Sequence, residues 1–97
     1  MSKIVVHSKP NCPYCVKAKQ FLADKGIEYT VIEYDPDQPY YENTKNDLVG
    51  RTGHRTFPQI FVGPTFLGGY TELVSAYDTL RFHELCKEIG IDVEVDF

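Results

Sequence analysis

Apolar residues along this chain fall into short continuous runs, separated by longer stretches in which they recur every three or four positions. The runs at residues 4–6, 29–32, 59–62 and 65–67 are rich in β-branched and aromatic residues. That pattern predicts four β-strands. The turn signal Gly63-Pro64 separates the last two runs, so these two strands are predicted to form an antiparallel hairpin.

Three helices are predicted in the stretches between and after the strands. The first starts at residues 11–13 and ends at Gly26. The second runs from Pro39 to about Val49, and the third from about Thr71 to Ile89. Glycine commonly follows the last turn of a helix, so Gly50 and Gly53 are predicted to break the second helix and Gly90 to cap the third. The apolar residues predicted to face the core are Val16, Ala18, Phe21 and Leu22 in the first helix and Tyr41, Leu48 and Val49 in the second.

The element order is therefore βαβαββα, which places the chain in the α/β class. A helix between the first two strands makes them parallel, and that crossover is expected to be right-handed. Residues 1–97 show no repeat or domain boundary and are predicted to form one domain. Residues 91–97 alternate apolar and acidic positions, and this tail is expected either to pack as an extra extended segment or to be a frayed acidic end.

Composition and charge narrow the classes of function. Hydrophobic residues make up 42% of the chain and charged residues 25%, which excludes a disordered protein. The net charge of −4 gives no electrostatic reason to expect nucleic-acid binding. No apolar run approaches the roughly 18–20 residues that span a bilayer, and the run at residues 4–6 is too short for a signal-peptide core. We therefore expect a cytoplasmic monomer without a membrane or nucleic-acid partner.

The candidate chemistry lies in the cysteines. Cys12 and Cys15 form a Cys-Pro-Tyr-Cys motif where the first strand leads into the first helix. Free backbone N–H groups and the helix dipole stabilise an anion at a helix N-terminus, which lowers the pKa of a thiol there. Cys12 is therefore predicted to be the more ionised thiol, with Lys9 and Lys17 adding positive charge. Cys15 comes one turn later, close enough to form a disulfide with Cys12, and is predicted to be more shielded.

Half of a zinc site is the alternative role for this cysteine pair. Zinc usually takes four protein ligands, and His83 and Cys86 could supply the second pair. A Pro-Tyr interior is unusual for zinc, and the second pair lies far along the chain. Redox chemistry is therefore the favoured interpretation of the motif.

Three motifs together resemble the glutaredoxin family. Residues 12–15 match its dithiol motif in full, residues 55–58 resemble its Thr-Val-Pro signature with Phe57 in place of Val, and residues 68–73 resemble its Gly-Gly signature. They occur in the family's order, and the resemblance covers about residues 3–85. It implies a thioredoxin-like fold, with a four-stranded mixed sheet in the order 2-1-3-4 flanked by helices. The compact length also fits a bacterial or phage member of the family.

The resemblance also implies a set of site residues. Cys12 and Cys15 are the catalytic pair and form the redox-active disulfide, and no metal is involved. Contacts with glutathione are implied for Lys9, Tyr14, Arg51, Phe57, Pro58, Gly69, Tyr70, Thr71 and Glu72. A cis peptide bond before Pro58 presents the backbone of Phe57 to the cysteinyl part of glutathione.

The resemblance also implies which residues bind each end of glutathione. The amides of Thr71 and Glu72 hold the γ-glutamyl carboxylate at a helix N-terminus, and Glu72 faces the ligand's ammonium group. Lys9 and Arg51 reach the glycine carboxylate. Tyr14 shields the thiolate and shapes the groove.

Each of these roles has a structural alternative. Pro58 can be an ordinary proline at the start of a strand. Thr71 can cap its helix while Glu72 favours the helix dipole. Lys9 and Arg51 can be solvated surface charges.

Other residues are expected to stay outside the chemistry or to modify the groove. His7 and His54 are expected to be structural or exposed, and Cys86 to be inert on its helix. Phe57 is bulkier than the valine of the family and can narrow the groove. The loop at residues 35–41 looks longer than in compact bacterial members.

The activity implied by the resemblance is thiol–disulfide exchange with glutathione as reductant and co-substrate. The implied clients are disulfide-bonded or glutathionylated proteins, with ribonucleotide reductase among them, and NADPH supplies the electrons through glutathione reductase. Two alternatives stay open. One is a thioredoxin-like donor reduced directly by a flavoprotein reductase, and the other is an iron–sulfur or zinc carrier.

Overall fold

A computed structural model describes residues 3–93 of the chain, in which eight helices and strands are present. In chain order they are β1 (Ile4–Ser8), α1 (Pro13–Asp24), β2 (Thr30–Glu33), α2 (Tyr41–Thr52), β3 (Gln59–Val62), β4 (Thr65–Gly68), α3 (Tyr70–Asp78) and α4 (Arg81–Glu88). The four predicted strands are all found, and the predicted last helix is divided into two. None of the helices in this described part is long and apolar enough to cross a membrane.

The four strands form one mixed sheet in the order β2-β1-β3-β4, which confirms the fold implied by the resemblance. β1 and β2 are parallel, whereas β3 is antiparallel to both β1 and β4. The register pairs Ile4 with Val62 and Val6 with Ile60. Because side chains alternate along a strand, these four residues share one face of the sheet and His7 points to the other.

Helices supply a hydrophobic cluster on each side of the sheet. The main core packs α1, α3 and α4 against Ile4 and Val6, and its fully buried members include Leu22, Leu73 and Phe82. A second and smaller cluster includes Leu48 of α2. The other buried members of the second cluster are Cys12, Cys15, Tyr34 and Phe57. The cysteine pair is therefore packed among the side chains of several elements.

α2 begins and ends later than the sequence predicts. Pro39 does not open the helix, because residues 38–40 form a turn in which Tyr41 N–H donates to Gln38 O at 3.1 Å. Gly50 lies inside the helix, so the prediction that it breaks the helix is wrong. The helix ends at Gly53, whose φ of 71° is the left-handed conformation that terminates helices.

The prediction of one helix over residues 71–89 is wrong, because α3 ends at Asp78 and α4 begins at Arg81. Leu80 lies between the two helices with a φ of +67°. A left-handed residue cannot continue a right-handed helix, so the chain changes direction there. No glycine or proline marks this position, and the sequence therefore carries no standard signal for the break.

The described part of the tail follows α4 along the main core. Ile91 and Val93 pack against that core, and Ile91 N–H donates to Cys86 O at 2.8 Å. Residues 91–93 form no strand. Residues 94–97, on which the rest of the tail prediction falls, lie outside the described residues.

The burial of isoleucine differs sharply between the centre and the edge of the sheet. Ile60 on β3 is fully buried, whereas Ile32 on the edge strand β2 is 38% exposed. We predict that Ile60→Ala lowers the free energy of unfolding by about 2–5 kcal/mol, because a buried side chain is lost and a cavity remains. Ile32→Ala is the matched control and is expected to cost less than about 1 kcal/mol. Urea unfolding of both variants tests this, and equal losses would contradict the assignment of the core.

Candidate active site

Cys12 occupies the N-cap of α1, as the motif predicts. Pro13 is the first helical residue, and Val16 N–H makes the first intrahelical hydrogen bond with Cys12 O at 3.2 Å. Cys12 Sγ also accepts a hydrogen bond from Cys15 N–H at 3.2 Å. The sulfur therefore takes the place of a capping side-chain oxygen and faces the free N–H groups of the helix, where a thiolate is stabilised.

The two cysteines form a disulfide with their Cα atoms 5.2 Å apart. Cys15 is 1% exposed and Cys12 is 8% exposed, which agrees with the prediction that Cys15 is the more shielded. Cys12 Sγ lies 3.6 Å from the carbonyl oxygen of Phe57, so the loop before β3 reaches the sulfur directly.

The peptide bond between Phe57 and Pro58 is cis, as the resemblance implies. Hydrogen bonds of the Gln59 side chain hold the loop that contains this peptide bond. Gln59 Nε2 donates to His54 O, and Gln59 Oε1 accepts from Thr52 Oγ1 at 2.8 Å. Because Gln59 is fully buried at the start of β3, the loop is tied to the sheet rather than left free.

The Phe57 ring faces inward rather than into the groove. Its centroid lies 5.2 Å from the centroid of the Tyr34 ring, and Phe57 as a whole is 8% exposed. Lys9 Nζ lies over the same ring at 5.8 Å from its centroid. The extra bulk relative to valine is therefore largely accommodated in the second cluster.

The Gly68-Gly69 pair lets the chain turn tightly into α3. Gly68 has a φ of +126°, and a Cβ there would lie 2.7 Å from Cγ of Glu72. Only glycine fits such a position. Gly69 is the N-cap of α3, and its N–H donates to Glu72 Oε1 at 2.8 Å. The helix cap is thus made by Gly69 and Glu72, and the alternative in which Thr71 caps the helix is wrong because α3 already begins at Tyr70.

These segments enclose a cleft of about 410 Å³. Cys12 does not line this cleft, but its Sγ lies 3.6 Å from the carbonyl oxygen of Phe57, which does. The lining of the cleft includes seven of the residues predicted to contact glutathione: Tyr14, Phe57, Pro58, Gly69, Tyr70, Thr71 and Glu72. Tyr14 is 55% exposed, and its ring lies 6.0 Å from that of Tyr70 between centroids, which places it at the lip of the cleft. The cleft thus runs between the loop before β3 and the N-terminus of α3.

His54 and Thr56 also line this cleft, although neither is among the predicted site residues. His54 Nε2 lies 3.0 Å from Thr56 Oγ1. Their position next to the Phe-Pro motif was a signal in the sequence, because the loop that presents Phe57 must also present its neighbours.

Lys9 and Arg51 are not brought into this cleft. Lys9 lines a second cavity, of about 520 Å³, whose lining includes Cys12 and Cys15 together with Lys19 and Glu33. Arg51 Nε pairs with Asp47 Oδ2 at 3.3 Å on the exposed surface of α2. Their predicted contact with the glycine carboxylate stays a prediction.

His7 and the third cysteine have structural surroundings. His7 Nδ1 lies 2.8 Å from the hydroxyl of Tyr34, and burial, with a smaller effect of the Arg51 charge, lowers the pKa of His7. Burial raises the pKa of Cys86 to about 11, which agrees with the expectation of an inert thiol. Cys86 belongs to the main core and the cysteine pair to the second cluster. Within residues 3–93 no three His, Cys, Asp or Glu side chains are grouped to hold a metal ion.

The three thiols should differ in their reaction with iodoacetamide after reduction. Near pH 6.5 we predict that Cys12 is alkylated first, because the N-terminus of α1 stabilises its thiolate. Cys86 should stay unlabelled in the folded protein, since roughly one such thiol in ten thousand is ionised near pH 7, and should react once urea unfolds the chain. Peptide mass spectrometry over time measures all three. Equal labelling rates in the folded protein would contradict this prediction.

Comparison with known proteins gives the family of the chain. Residues 4–67 match the Glutaredoxin family. Glutaredoxin-2, mitochondrial, of Homo sapiens is 40% identical over 81 residues, which are 84% of this chain and 45% of that protein. The chain thus spans less than half the length of that relative. The glutaredoxin of Vernicia fordii is 34% identical over 89 residues, which are 92% of this chain and 85% of that protein.

Solved structures give the same result. The buckwheat glutaredoxin–glutathione complex has a TM-score of 0.83 at 26% identity and covers 95% of this chain and 83% of its own. Oxidized glutaredoxin 2 from Chlamydomonas reinhardtii has a TM-score of 0.77 at 34% identity and covers 92% of this chain and 83% of its own. With the Cys-Pro-Tyr-Cys motif at the start of α1 and the sheet order found above, these matches show that the chain belongs to the glutaredoxin family.

Proposed function

We propose that this chain is a glutathione-dependent thiol–disulfide oxidoreductase that reduces protein disulfides and protein–glutathione mixed disulfides. The observation that carries the proposal is the position of the Cys12–Cys15 disulfide, at a helix N-terminus and against the Phe57 loop that lines an open cleft. Once the disulfide is reduced, the helix N-terminus can stabilise the Cys12 sulfur as an anion, and the cleft offers room for a ligand near it. A nucleophilic thiol with a resolving partner three residues away is suited to disulfide exchange.

The shape of the cleft supports glutathione as the ligand. One wall presents the backbone of Phe57 within reach of Cys12, where an extended peptide can pair with it. The far end is the N-terminus of α3, whose free N–H groups suit a carboxylate. The buckwheat relative is a glutaredoxin–glutathione complex of closely similar fold, which supports the same ligand for this chain.

In the dithiol route, the Cys12 thiolate attacks one sulfur of a client disulfide, and the other client sulfur leaves as a thiolate. Cys15 then attacks Cys12 in the resulting mixed disulfide, which releases the reduced client and forms the Cys12–Cys15 bond. The client gains the two electrons that the cysteine pair loses. Two glutathione molecules reduce the pair again and become glutathione disulfide.

In the monothiol route, Cys12 attacks the glutathionyl sulfur of a glutathionylated protein. The client thiolate leaves, and Cys12 carries the glutathione. A second glutathione attacks the glutathionyl sulfur, releasing Cys12 as a thiolate and forming glutathione disulfide. This route does not use Cys15. The low exposure of Cys15 fits a group that acts only within the protein.

The clients and the electron source complete the proposal. We propose disulfide-bonded or glutathionylated proteins as clients, ribonucleotide reductase among them, and NADPH with glutathione reductase as the source of electrons. A thioredoxin-like donor would instead turn over with a flavoprotein reductase in the absence of glutathione. Assaying the protein with each reducing system separately distinguishes the two.

Variants of the two cysteines test the proposed roles. Cys12→Ser should lose at least about a thousandfold in both reactions, because it removes the attacking sulfur. Cys15→Ser should keep at least about half of the deglutathionylation rate, since a second glutathione can release the mixed disulfide. The same variant should lose at least about tenfold on a protein dithiol–disulfide substrate, which needs the second protein thiol. Coupled assays of glutathione disulfide formation measure both reactions.

Cys86→Ser is the matched control, because its thiol is buried in the main core away from the cysteine pair. Both rates should stay at the wild-type level once folding is verified by circular dichroism. Loss of deglutathionylation in folded Cys15→Ser would show that the assigned roles are wrong.

The charge of Glu72 can be tested apart from its capping bond. Glu72→Gln keeps an oxygen that can accept from Gly69 N–H but loses the negative charge proposed to face the ligand's ammonium. We predict a rise in the KM for glutathione of about twofold to fivefold, the size expected for one exposed ion pair, with an unchanged melting temperature. Glu72→Ala should in addition lower the melting temperature, because the cap is lost. An unchanged KM in Glu72→Gln would remove Glu72 from the glutathione site.

A further inference from the structure

His54 lies at the end of the cleft where α3 begins, and the proposed function gives it no role. A Cβ on Gly69, the N-cap of α3, would lie 3.6 Å from His54 Nε2, so the ring borders the helix N-terminus. The same nitrogen lies 3.0 Å from Thr56 Oγ1. The ring also packs against Phe66 of β4 at 5.5 Å between centroids. Its position is thus fixed from three sides.

The charges around His54 single it out within the cleft. Of the nine residues that line the cleft in the described part of the chain, His54 alone can carry a positive charge and Glu72 alone a carboxylate. Tyr14 and Tyr70 also line the cleft, but a phenol cannot carry a positive charge. Arg55, the neighbour of His54 in its own loop, is exposed and does not line the cleft.

We infer that His54 and Thr56 form a proton-dependent binding site for the γ-glutamyl carboxylate of glutathione, which binds more tightly when the His54 imidazole is protonated. The inference rests on the proposed function and adds a specificity-determining residue and a pH dependence to it. It concerns the end of the cleft at α3, away from the sulfur of Cys12.

Protonation of His54 acts on the carboxylate in two ways. The imidazolium charge attracts the anion, together with the free N–H groups at the start of α3. The Nε2–H of the imidazolium must also donate to Thr56 Oγ1, which leaves the threonine proton free to turn into the cleft and bind the ligand. A neutral ring with an unprotonated Nε2 accepts that threonine proton instead, so the hydroxyl no longer offers it to a carboxylate.

The negative charge of Glu72 is a second reason for a positive charge at this end of the cleft. Its carboxylate caps α3 beside Gly69 and suits the ammonium of the γ-glutamyl group, but it repels the carboxylate of that group. A Cβ on Gly69 would lie 3.4 Å from Glu72 Oε1 and 3.6 Å from His54 Nε2, so both groups border the same point of the cleft. A positive charge on His54 therefore offsets this repulsion. The γ-glutamyl group carries both charges, so a site with one group of each sign matches it.

Binding of S-methylglutathione, followed by NMR, tests the inference without interference from thiol chemistry. This analogue keeps both carboxylates and the ammonium of glutathione. We expect His54→Gln to weaken binding about fivefold near pH 5.5, the size of one partly exposed charged hydrogen bond, and less than about 1.5-fold near pH 8, because the inferred contact depends on the protonated ring. Arg55→Gln is the matched control. Its effect should be the same at both pH values, because arginine stays charged throughout.

The wild-type protein provides a second measurement that does not depend on a variant. By linkage, a ligand that binds the protonated form fivefold more tightly must raise the midpoint of the His54 titration by about 0.7 in pH. The ring-proton resonances of His54 should therefore titrate at higher pH with saturating S-methylglutathione than without it. A purely structural role for His54 would not produce this change.

Two results would overturn the inference. One is an equal effect of His54→Gln at both pH values, and the other is a His54 titration unaffected by saturating ligand, with the amides of Thr71 and Glu72 still shifted by binding. In either case glutathione binding itself would stand. If wild-type protein neither binds S-methylglutathione nor uses glutathione as reductant, the proposed function fails and the inference fails with it.

Discussion

The structure depends on the placement of one sulfur at the N-terminus of α1. Cys12 caps the start of that helix through its own side chain and accepts a hydrogen bond from Cys15 N–H. The free N–H groups at the helix N-terminus therefore also stabilise the thiolate. Pro13 supports the arrangement, because it begins the helix without needing a partner for a backbone N–H. The local rules of helix capping and the requirement for a reactive thiol are therefore met by the same atoms.

The sheet then determines what surrounds this sulfur. Because β3 lies next to β1 in the order β2-β1-β3-β4, the loop that enters β3 passes beside the start of α1 and brings Phe57 O close to Cys12. The buried side chain of Gln59 holds that loop to α2 through Thr52. β4 leads directly into α3, and the Gly68-Gly69 turn directs the helix N-terminus toward the same cleft. Three segments that are distant in sequence thus form one binding surface.

Much of this arrangement is predictable from the sequence, for identifiable reasons. Short β-rich runs indicate the four strands, and the Cys-Pro-Tyr-Cys motif indicates the start of α1, because both signals are local. The strand order followed from the family resemblance, since hydrophobic periodicity does not specify which strands pair.

The break at Leu80 was missed because a left-handed leucine has no local signature. His54 is close to the Phe-Pro motif in the sequence, but which side chains of that loop enter the cleft depends on the pairing of β3 and on the Gln59 anchor, so its place in the cleft was missed. Lys9 and Arg51 illustrate a different difficulty, since the ends of long charged side chains follow their nearest partners, here the Phe57 ring and Asp47.

The central claim is that the N-terminus of α1 makes Cys12 a thiolate near neutral pH. The most direct test is the ultraviolet absorbance of the thiolate, followed during a pH titration of the reduced Cys15→Ser, Cys86→Ser double variant, in which Cys12 is the one remaining thiol. The account predicts a midpoint at least about one pH unit below the value near 8.5 of an unperturbed cysteine, with a return to that value when urea unfolds the protein. A midpoint at the ordinary value in the folded protein would contradict it.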